Sequence, residues 1–328
     1  MLKCLRWGVC EEGIADISGV NQKTVRLFQE KTCKRAQIHH DNLVTNISTP
    51  GVQMDELWAK MAGQKQWLAV AITVKSLLIL ACTIGHRDGK LVDSLLVQVW
   101  ARCAWIGIFL TDGFRPYLTS IIKCFGILYQ PRKRSQKGRK RHKCLKLPLD
   151  MLYAQVVKVT NNTFSLVGVK CRAMLGKLQV CEFFIKAYEL GNKIHTIHIE
   201  RWFGTLRSNL ACLRRRSRCC VKNTQCLESR VWVFVSLYNW VICHSSLTLN
   251  KIKRTPAMAA GLIDHPLSYR EYIMMPIFPA SDVAARVESK LKEISSDEYV
   301  KAAQRYEINS EERIVWESPP LLEKTVAA

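Results

Sequence analysis

"WLAVAITVKSLLILACTIG", residues 67 to 85, has to be read either as a membrane span or as part of a folded interior. The run is nearly long enough to cross a bilayer, yet Lys75 and Ser76 stand at its midpoint. A charge there costs on the order of 3 kcal/mol on insertion scales. Divided at that pair, the run becomes two strands of ordinary length, rich in β-branched residues and joined by a tight turn. The hairpin is therefore the expectation, and no membrane partner follows from it.

Working outward, "HRDGK" separates the hairpin from a helical stretch in which Val92, Leu95, Leu96, Val99 and Cys103 recur at helical spacing. "IGIFLTDGF" then reads as a strand carrying Asp112 at its C-terminal end, with Gly113 just beyond. Pro116 can open the next helix, Leu118, Ile121, Ile122 and Phe125 make its apolar face, and Gly126 can close it. "ILYQ" supplies a fifth short strand, and upstream "GVQMDELW" is a short strand ending at Asp55. The order is strand, hairpin, helix, strand, helix, strand, and later a long helix. It predicts an α/β, ribonuclease-H-like core: a mixed five-stranded sheet with flanking helices, antiparallel at its start and joined later by helical crossovers.

Ahead of this core, "EEGIADISGVNQKTVRLFQEK" has the layout of a small all-α helix-turn-helix domain. Ile14, Ala15 and Ile17 lie on the first helix, Gly19 is at the turn, and Val25 and Phe28 lie on the second. That phase puts Gln22, Lys23, Arg26 and Gln29 on the solvent side, where amide and guanidinium groups can reach base edges or phosphates. A plain helical hairpin would carry the same pattern. Residues 31 to 50 are polar and read as a linker. The expected organisation is a DNA-binding domain over 1–46, a catalytic domain over 47–276 with a basic segment at 131–146, and a C-terminal tail of unknown role over 277–328.

Composition points to the partner. Lys and Arg number 49 against 27 Asp and Glu, a formal net charge of +22, and the chain also carries nine Trp and nine Tyr. A polyanion, and nucleic acid first among polyanions, fits this balance. The run "RKRSQKGRKRHK" is a natural phosphate-binding loop through Arg132, Lys133, Arg134, Lys137, Arg139, Lys140 and Arg141, although a solvated loop or a nuclear-localisation patch has the same composition. Fourteen Cys without a signal-peptide pattern or any CxxC spacing suggest reduced, mostly buried thiols rather than disulfides or zinc. The expected location is cytoplasmic and nucleoid-associated in a prokaryote, or nuclear in a eukaryote.

Chemistry enters through three carboxylates. Asp55 and Asp112 fall at the ends of strands that the topology makes adjacent, where ligand sites gather, although Asp112-Gly113 also reads as a plain turn. In "KIHTIHIERWFGTLRSNLACLRRRSRCC", residues 193 to 220, the stripe Ile199, Phe203, Leu206, Leu210 and Leu213 marks a core-facing helix. Glu200 then sits beside the stripe, on a face shared with Gly204, Arg207, Ala211, Arg214 and Arg218. Clustered carboxylates in a basic protein need cations, and oxygen ligands select Mg²⁺ or Mn²⁺. Two such ions about 4 Å apart can serve an in-line phosphoryl displacement, with Arg207, Arg214 and Arg218 holding the DNA backbone nearby.

With those residues placed, the chain resembles the DDE insertion-sequence transposases of the insertion-sequence-one type from about residue 11 to residue 276. The carriers are "SGVNQKTVRLFQEK", "VQMDELWAKMAG", "WLAVAI", "LTDGFRPY", "KIHTIHIERWFGTLR", "YNWVICHSSL" and "RTPAMAAGLIDH". The resemblance implies that Asp55, Asp112 and Glu200 form a metal-binding catalytic triad, that the N-terminal domain binds terminal inverted repeats, and that a homo-oligomer acts on DNA. It also implies two steps: water frees a 3'-hydroxyl at the transposon end, which then attacks target DNA. The zinc-ribbon-like segment that often precedes the helix-turn-helix in this family has no counterpart here, and Phe203 falls near a position where the family commonly has a polar residue. Three readings stay open beside it: a non-catalytic helix-turn-helix DNA-binding protein, a decayed inactive transposase copy, and a ribonuclease-H-like nuclease that cuts without joining.

Overall fold

The computed structural model describes residues 1–61, 64–132, 140–160, 166–216, 221–276, 278–279 and 281–311. Helices α1 (Leu2–Arg6), α2 (Glu11–Ser18) and α3 (Gln22–Leu43) lead into the strands β1 (Ile47–Met61), β2 (Gln64–Thr73) and β3 (Ile79–Gly85). Next come α4 (Gly89–Arg102), β4 (Cys103–Asp112), α5 (Pro116–Phe125), β5 (Ile127–Tyr129), β6 (Cys144–Lys146), β7 (Leu152–Thr160) and β8 (Leu166–Leu175). The remainder is α6 (Leu178–Ala187), α7 (Ile197–Asn209), α8 (Thr224–Trp240), a small ribbon of β9 (His244–Leu249) and β10 (Ile252–Arg254), α9 (Pro256–Ala259), α10 (Tyr269–Met274), α11 (Asp282–Ile294) and α12 (Asp297–Glu311).

The result is a mixed α/β protein built on a six-stranded sheet of order β3-β2-β1-β4-β7-β8. The 67–85 run forms the hairpin expected of it, with β2 and β3 antiparallel and the break at Lys75 and Ser76 in the turn. Thr73 closes that turn: its N–H donates to the Leu78 carbonyl, and its hydroxyl accepts from the Leu78 N–H at 2.9 Å. Strand β1 pairs antiparallel with β2 and parallel with β4, and β7 continues the parallel set. Among the described residues, no helix is long and apolar enough to cross a membrane.

Two sheet assignments from sequence need correction. The sheet has six strands rather than five, and the short strand at residues 127–129 lies outside it, pairing with β6 in a separate two-stranded ribbon. Ile127 and Tyr129 are exposed there, whereas the fifth position of the main sheet is filled by β7, whose Tyr153, Ala154 and Gln155 are fully buried. The valine-rich stretch at 156–159 is thus part of a sheet strand, and β8 pairs antiparallel beyond it.

The free edge of β3 is closed by side chains. Asn239 of α8 accepts from the Ile79 N–H and donates to the Ile79 carbonyl, both at 3.1 Å, imitating a neighbouring strand. At Ile79 the ladder groups of the edge strand are satisfied this way without another strand being recruited. From Val231 to Trp240, helix α8 is buried on every side, as the apolar run that begins at Val231 requires.

The helix-turn-helix pair is present, with Gly19 in the left-handed conformation at φ +65° and Asn21 capping α3 through a 2.8 Å bond from the Lys23 N–H. Helix α3, however, runs for 22 residues through most of the segment that reads as a linker. Its second half is polar but docked. His39 and His40 are buried, and the Arg102 guanidinium, only 3% exposed, donates to the Asp41 carboxylate. Ile17 is 67% exposed, contrary to the apolar phase assigned to it, because Ile14 alone fills the contact with α3. The C-terminal helices α11 and α12 pack on α3, α4 and α5.

His40 makes this docking pH-dependent. Its Nε2–H donates to the Leu80 carbonyl at 2.8 Å, and burial, aided by Arg102, pushes its pKa down from 6.5 to about 3. The folded state therefore binds fewer protons than the unfolded chain between those values. The stabilisation is complete above pH 6.5 and is lost as pH falls, at about 1.4 kcal/mol per unit. Thermal denaturation should show roughly 2 kcal/mol lost between pH 6.5 and 5. His40→Gln should flatten this slope; an unchanged slope would rule out His40 as its source.

Candidate active site

The site begins where β1 and β4 stop pairing. Their parallel ladder ends at Met54↔Thr111, so Asp55 and Asp112 are the next residues along two adjacent strands. Asp112 closes β4, as expected, with its Oδ1 accepting from the Phe114 N–H at 3.0 Å. Asp55 does not end its strand: β1 is 15 residues long and continues with β2 as far as Met61↔Gln64. What ends at Asp55 is the contact with β4, and that opens the space beside it.

Glu56 joins the two aspartates. Carboxylate oxygens of Asp55, Glu56 and Asp112 lie within 4.8 Å of one another. The Glu56 side chain is fully buried; Oε2 receives the Arg87 guanidinium at 3.0 to 3.1 Å, and the buried Tyr117 hydroxyl is a further polar neighbour, though neither it nor Oε1 is in good hydrogen-bond geometry with any described residue. Arg87 also reaches Asp112 at 3.7 Å and lies over the rings of Trp67 and Phe114. Burial and the neighbouring Asp112 push the Asp55 carboxyl up to about 7, with Glu56 and Glu200 adding to the repulsion. Burial likewise raises Glu56, opposed by Tyr117 and Arg87.

Glu200 stands in the same cleft but outside that trio. A cavity of about 540 Å³ is lined by Asp55, Asp112, Glu200, Arg87, Lys158 and Thr196, among others. The Glu200 carboxylate is 47% exposed and accepts from Lys158 and from the Thr196 hydroxyl, each at 3.4 Å. Its helix is aimed by a residue that the sequence does not single out. Gln53, buried on β1, accepts from the His198 and Ile199 N–H groups at 3.0 and 3.1 Å and donates to the His195 carbonyl at 2.8 Å. Gln53 thereby caps α7, whose own N-cap Thr196 makes no side-chain cap bond. Asp55, two residues further along β1, points to the same side of the sheet.

The apolar stripe of the 193–220 segment is buried throughout, but α7 ends at Asn209, and Leu210 and Leu213 continue the stripe from a loop and a 3-10 turn. Trp202 and Phe203 are buried too, Trp202 packing on Phe234 and Tyr238 of α8. Neither ring faces the cleft, so the apolar character of this segment belongs to the core.

The residues expected to contact DNA are placed unevenly. Gln22 and Lys23 are exposed at the start of α3, but Gln29 is 4% exposed, because α3 packs along α8 on that side. Arg26 holds Glu11 of α2 at 3.0 Å. Arg207 is half-buried near the cleft, its charge disfavoured by burial and Arg215 and favoured by Asp55. Arg214 donates to the Arg207 and Ser208 carbonyls, capping the end of α7. Arg132, Lys140 and Arg141 are exposed, while Lys133, Arg134, Lys137, Arg139 and Arg218 lie outside the described residues.

The donor set fits a hard divalent cation. It offers oxygen atoms only, one of them buried and not in good hydrogen-bond geometry with any described residue, on carboxylates whose mutual repulsion such an ion would relieve. Asp55, Glu56 and Asp112 are the residues that would hold it. Among proteins already characterised, no family model matches the chain and no curated sequence is significantly similar to it.

Proposed function

We propose that this chain is a metal-dependent DNA transposase that cleaves the ends of its element and joins them to target DNA. The observation that carries the reading is the convergence of Asp55 and Asp112 where the parallel pairing of β1 and β4 ends, with Glu200 in the same cleft. The sheet supports it: three antiparallel strands followed by two parallel ones, in the order β3-β2-β1-β4-β7, agree with the strand order expected of a ribonuclease-H-like core, with β8 added at the edge. Asp55, Glu56 and Asp112 would hold a divalent ion, which when bound would supply charge neutralisation for the phosphodiester and lower the pKa of the attacking hydroxyl or water. The chain's own part is positional. Asp55 must shed its proton, Gln53 fixes the helix that carries Glu200, and Arg87, Lys158 and Arg207 offer positive charge to phosphates entering the cleft.

One observation favours a second reading. Arg87 on Glu56 and Asp112, with Lys158 on Glu200, supplies the cleft with side-chain cations, as a DNA-binding protein without catalysis would need. Incubation with Mg²⁺ and labelled DNA carrying the element ends separates the readings. Joined products support the transposase, cleavage alone a nuclease, and binding alone the non-catalytic protein. Glu200→Gln should abolish cleavage with DNA affinity little changed; wild-type cleavage in the purified variant would remove Glu200 from the site.

A further inference from the structure

Strands β1 and β2 outrun the rest of the sheet. Pairing with β4 stops at Met54 and pairing with β3 stops at Trp67↔Gly85, while β1 and β2 stay paired to Met61↔Gln64. The arm this leaves has two unlike faces. Leu57, Ala59, Met61 and Leu68 are buried on one, where the Ala211–Leu213 turn and Val221 cover it. The other face is open, and there Trp58 is 39% exposed beside its register partner Trp67, and Lys60 stands directly opposite Lys65.

Folding alone does not explain that open face. An exposed Trp leaves a large apolar area in water, and like charges directly opposite one another on a sheet oppose pairing. Among the described residues, neither lysine side chain has an ion-pair or hydrogen-bond partner. The face also continues into the acidic cleft. Trp67 lies 4.8 Å beneath the Arg87 guanidinium, which in turn lies 4.3 Å over Phe114 and binds Glu56. Flat rings and cations thus line one path from the arm to the carboxylates, the lysines at its outer end and Arg87, paired with Glu56, at its inner end.

We propose that this arm binds single-stranded nucleic acid and guides one strand to or from the cleft. Trp58 stacks on an unpaired base, and Lys60 and Lys65 neutralise the phosphates flanking it. A duplex hides the faces of its bases, so ring stacking selects the single strand, whereas the lysines alone would accept either. The inference rests on reading the cleft as a nucleic-acid-processing centre, but it needs no metal and no turnover.

The full chain, in EDTA, should be titrated with a labelled oligothymidylate and separately with a blunt duplex of the same length, following fluorescence anisotropy. Trp58→Ala should weaken oligothymidylate binding about tenfold and leave duplex binding unchanged, with Trp58→Phe restoring most of the loss. Lys60→Gln with Lys65→Gln should lower the slope of log affinity against log salt by roughly 1.4, two single-strand phosphate contacts. Equal losses for both ligands, single-strand binding indifferent to Trp58, or no single-strand binding at all would each overturn the proposal. Because the assay is metal-free, a Trp58-dependent result in a protein that never cleaves DNA would uphold this inference while sinking the catalytic reading.

Discussion

Asp55→Asn is expected to cost metal-dependent strand cleavage at least about a thousandfold, roughly 4 kcal/mol of barrier, while making the metal-free protein more stable. The two effects share one cause. Asp55 has its carboxyl pushed up from 3.8 to about 7, first by burial and then by Asp112. A carboxyl with a raised folded pKa favours the folded state while it is protonated, and that advantage is lost as pH rises through the window from 3.8 to 7. Near pH 8, ionised Asp55 therefore strains the fold by about 2 kcal/mol, after allowing for solvent reaching the carboxylate. Asparagine fills the same space without the charge. The variant should melt roughly 3 °C higher in EDTA at pH 8, with little difference at pH 4. Mg²⁺ should raise the melting temperature of the wild type and leave that of the variant in place. Wild-type cleavage by Asp55→Asn, or a lower melting temperature in EDTA at pH 8, would refute this account of the cluster.

How much of this centre the sequence discloses depends on which physical signal each residue carries. Asp112 is legible because an apolar run stops at Asp-Gly and a Pro-initiated helix follows, so local punctuation marks the strand end. Asp55 is legible only as a neighbour of Asp112, through topology; its own strand runs on to Met61, since nothing local ends it. Glu56 gives no signal of its own. A buried glutamate is set by Arg87, 31 residues away, and by Tyr117, contacts that periodicity does not carry. Gln53 is hidden for the same reason, because the helix it caps lies about 145 residues downstream. The end of α7 at Asn209 has neither Gly nor Pro, and the apolar spacing continues past it through a 3-10 turn, so a stripe read at helical pitch overshoots. The face bearing Trp58 and Lys60 is hidden as well, because the strand reads as ending at Asp55, and only the early end of β3 and β4 shows that this face stays uncovered.

Asp41→Ala should be the most destabilising of the polar substitutions considered, at about 3 kcal/mol in urea unfolding, although its residue falls in a segment with the composition of a linker. The reason is Arg102. Its guanidinium is buried at the end of α4, with one nitrogen donating to the Gln98 carbonyl at 2.9 Å, Nε unpartnered, and the third held by Asp41. Removing Asp41 leaves a cation with no counter-charge where water reaches poorly, beside the already neutral His40. Removing both members is a different case. Arg102→Met combined with Asp41→Ala takes away the charge along with its partner, so most of the loss should be recovered, and the cycle should show a coupling of about 2 kcal/mol. A cost below about 1 kcal/mol for Asp41→Ala alone would mean that solvent, and not Asp41, satisfies Arg102. In that event the second half of α3 would be held by its packing on α8 and α11 and by the remaining polar contacts, such as Gln37 with Glu228 and His40 with Leu80. If the expected values hold, the pair of Arg102 and Asp41 is the costliest of the polar contacts that fix this polar stretch against the core, beside His40 on Leu80 and Gln37 on Glu228.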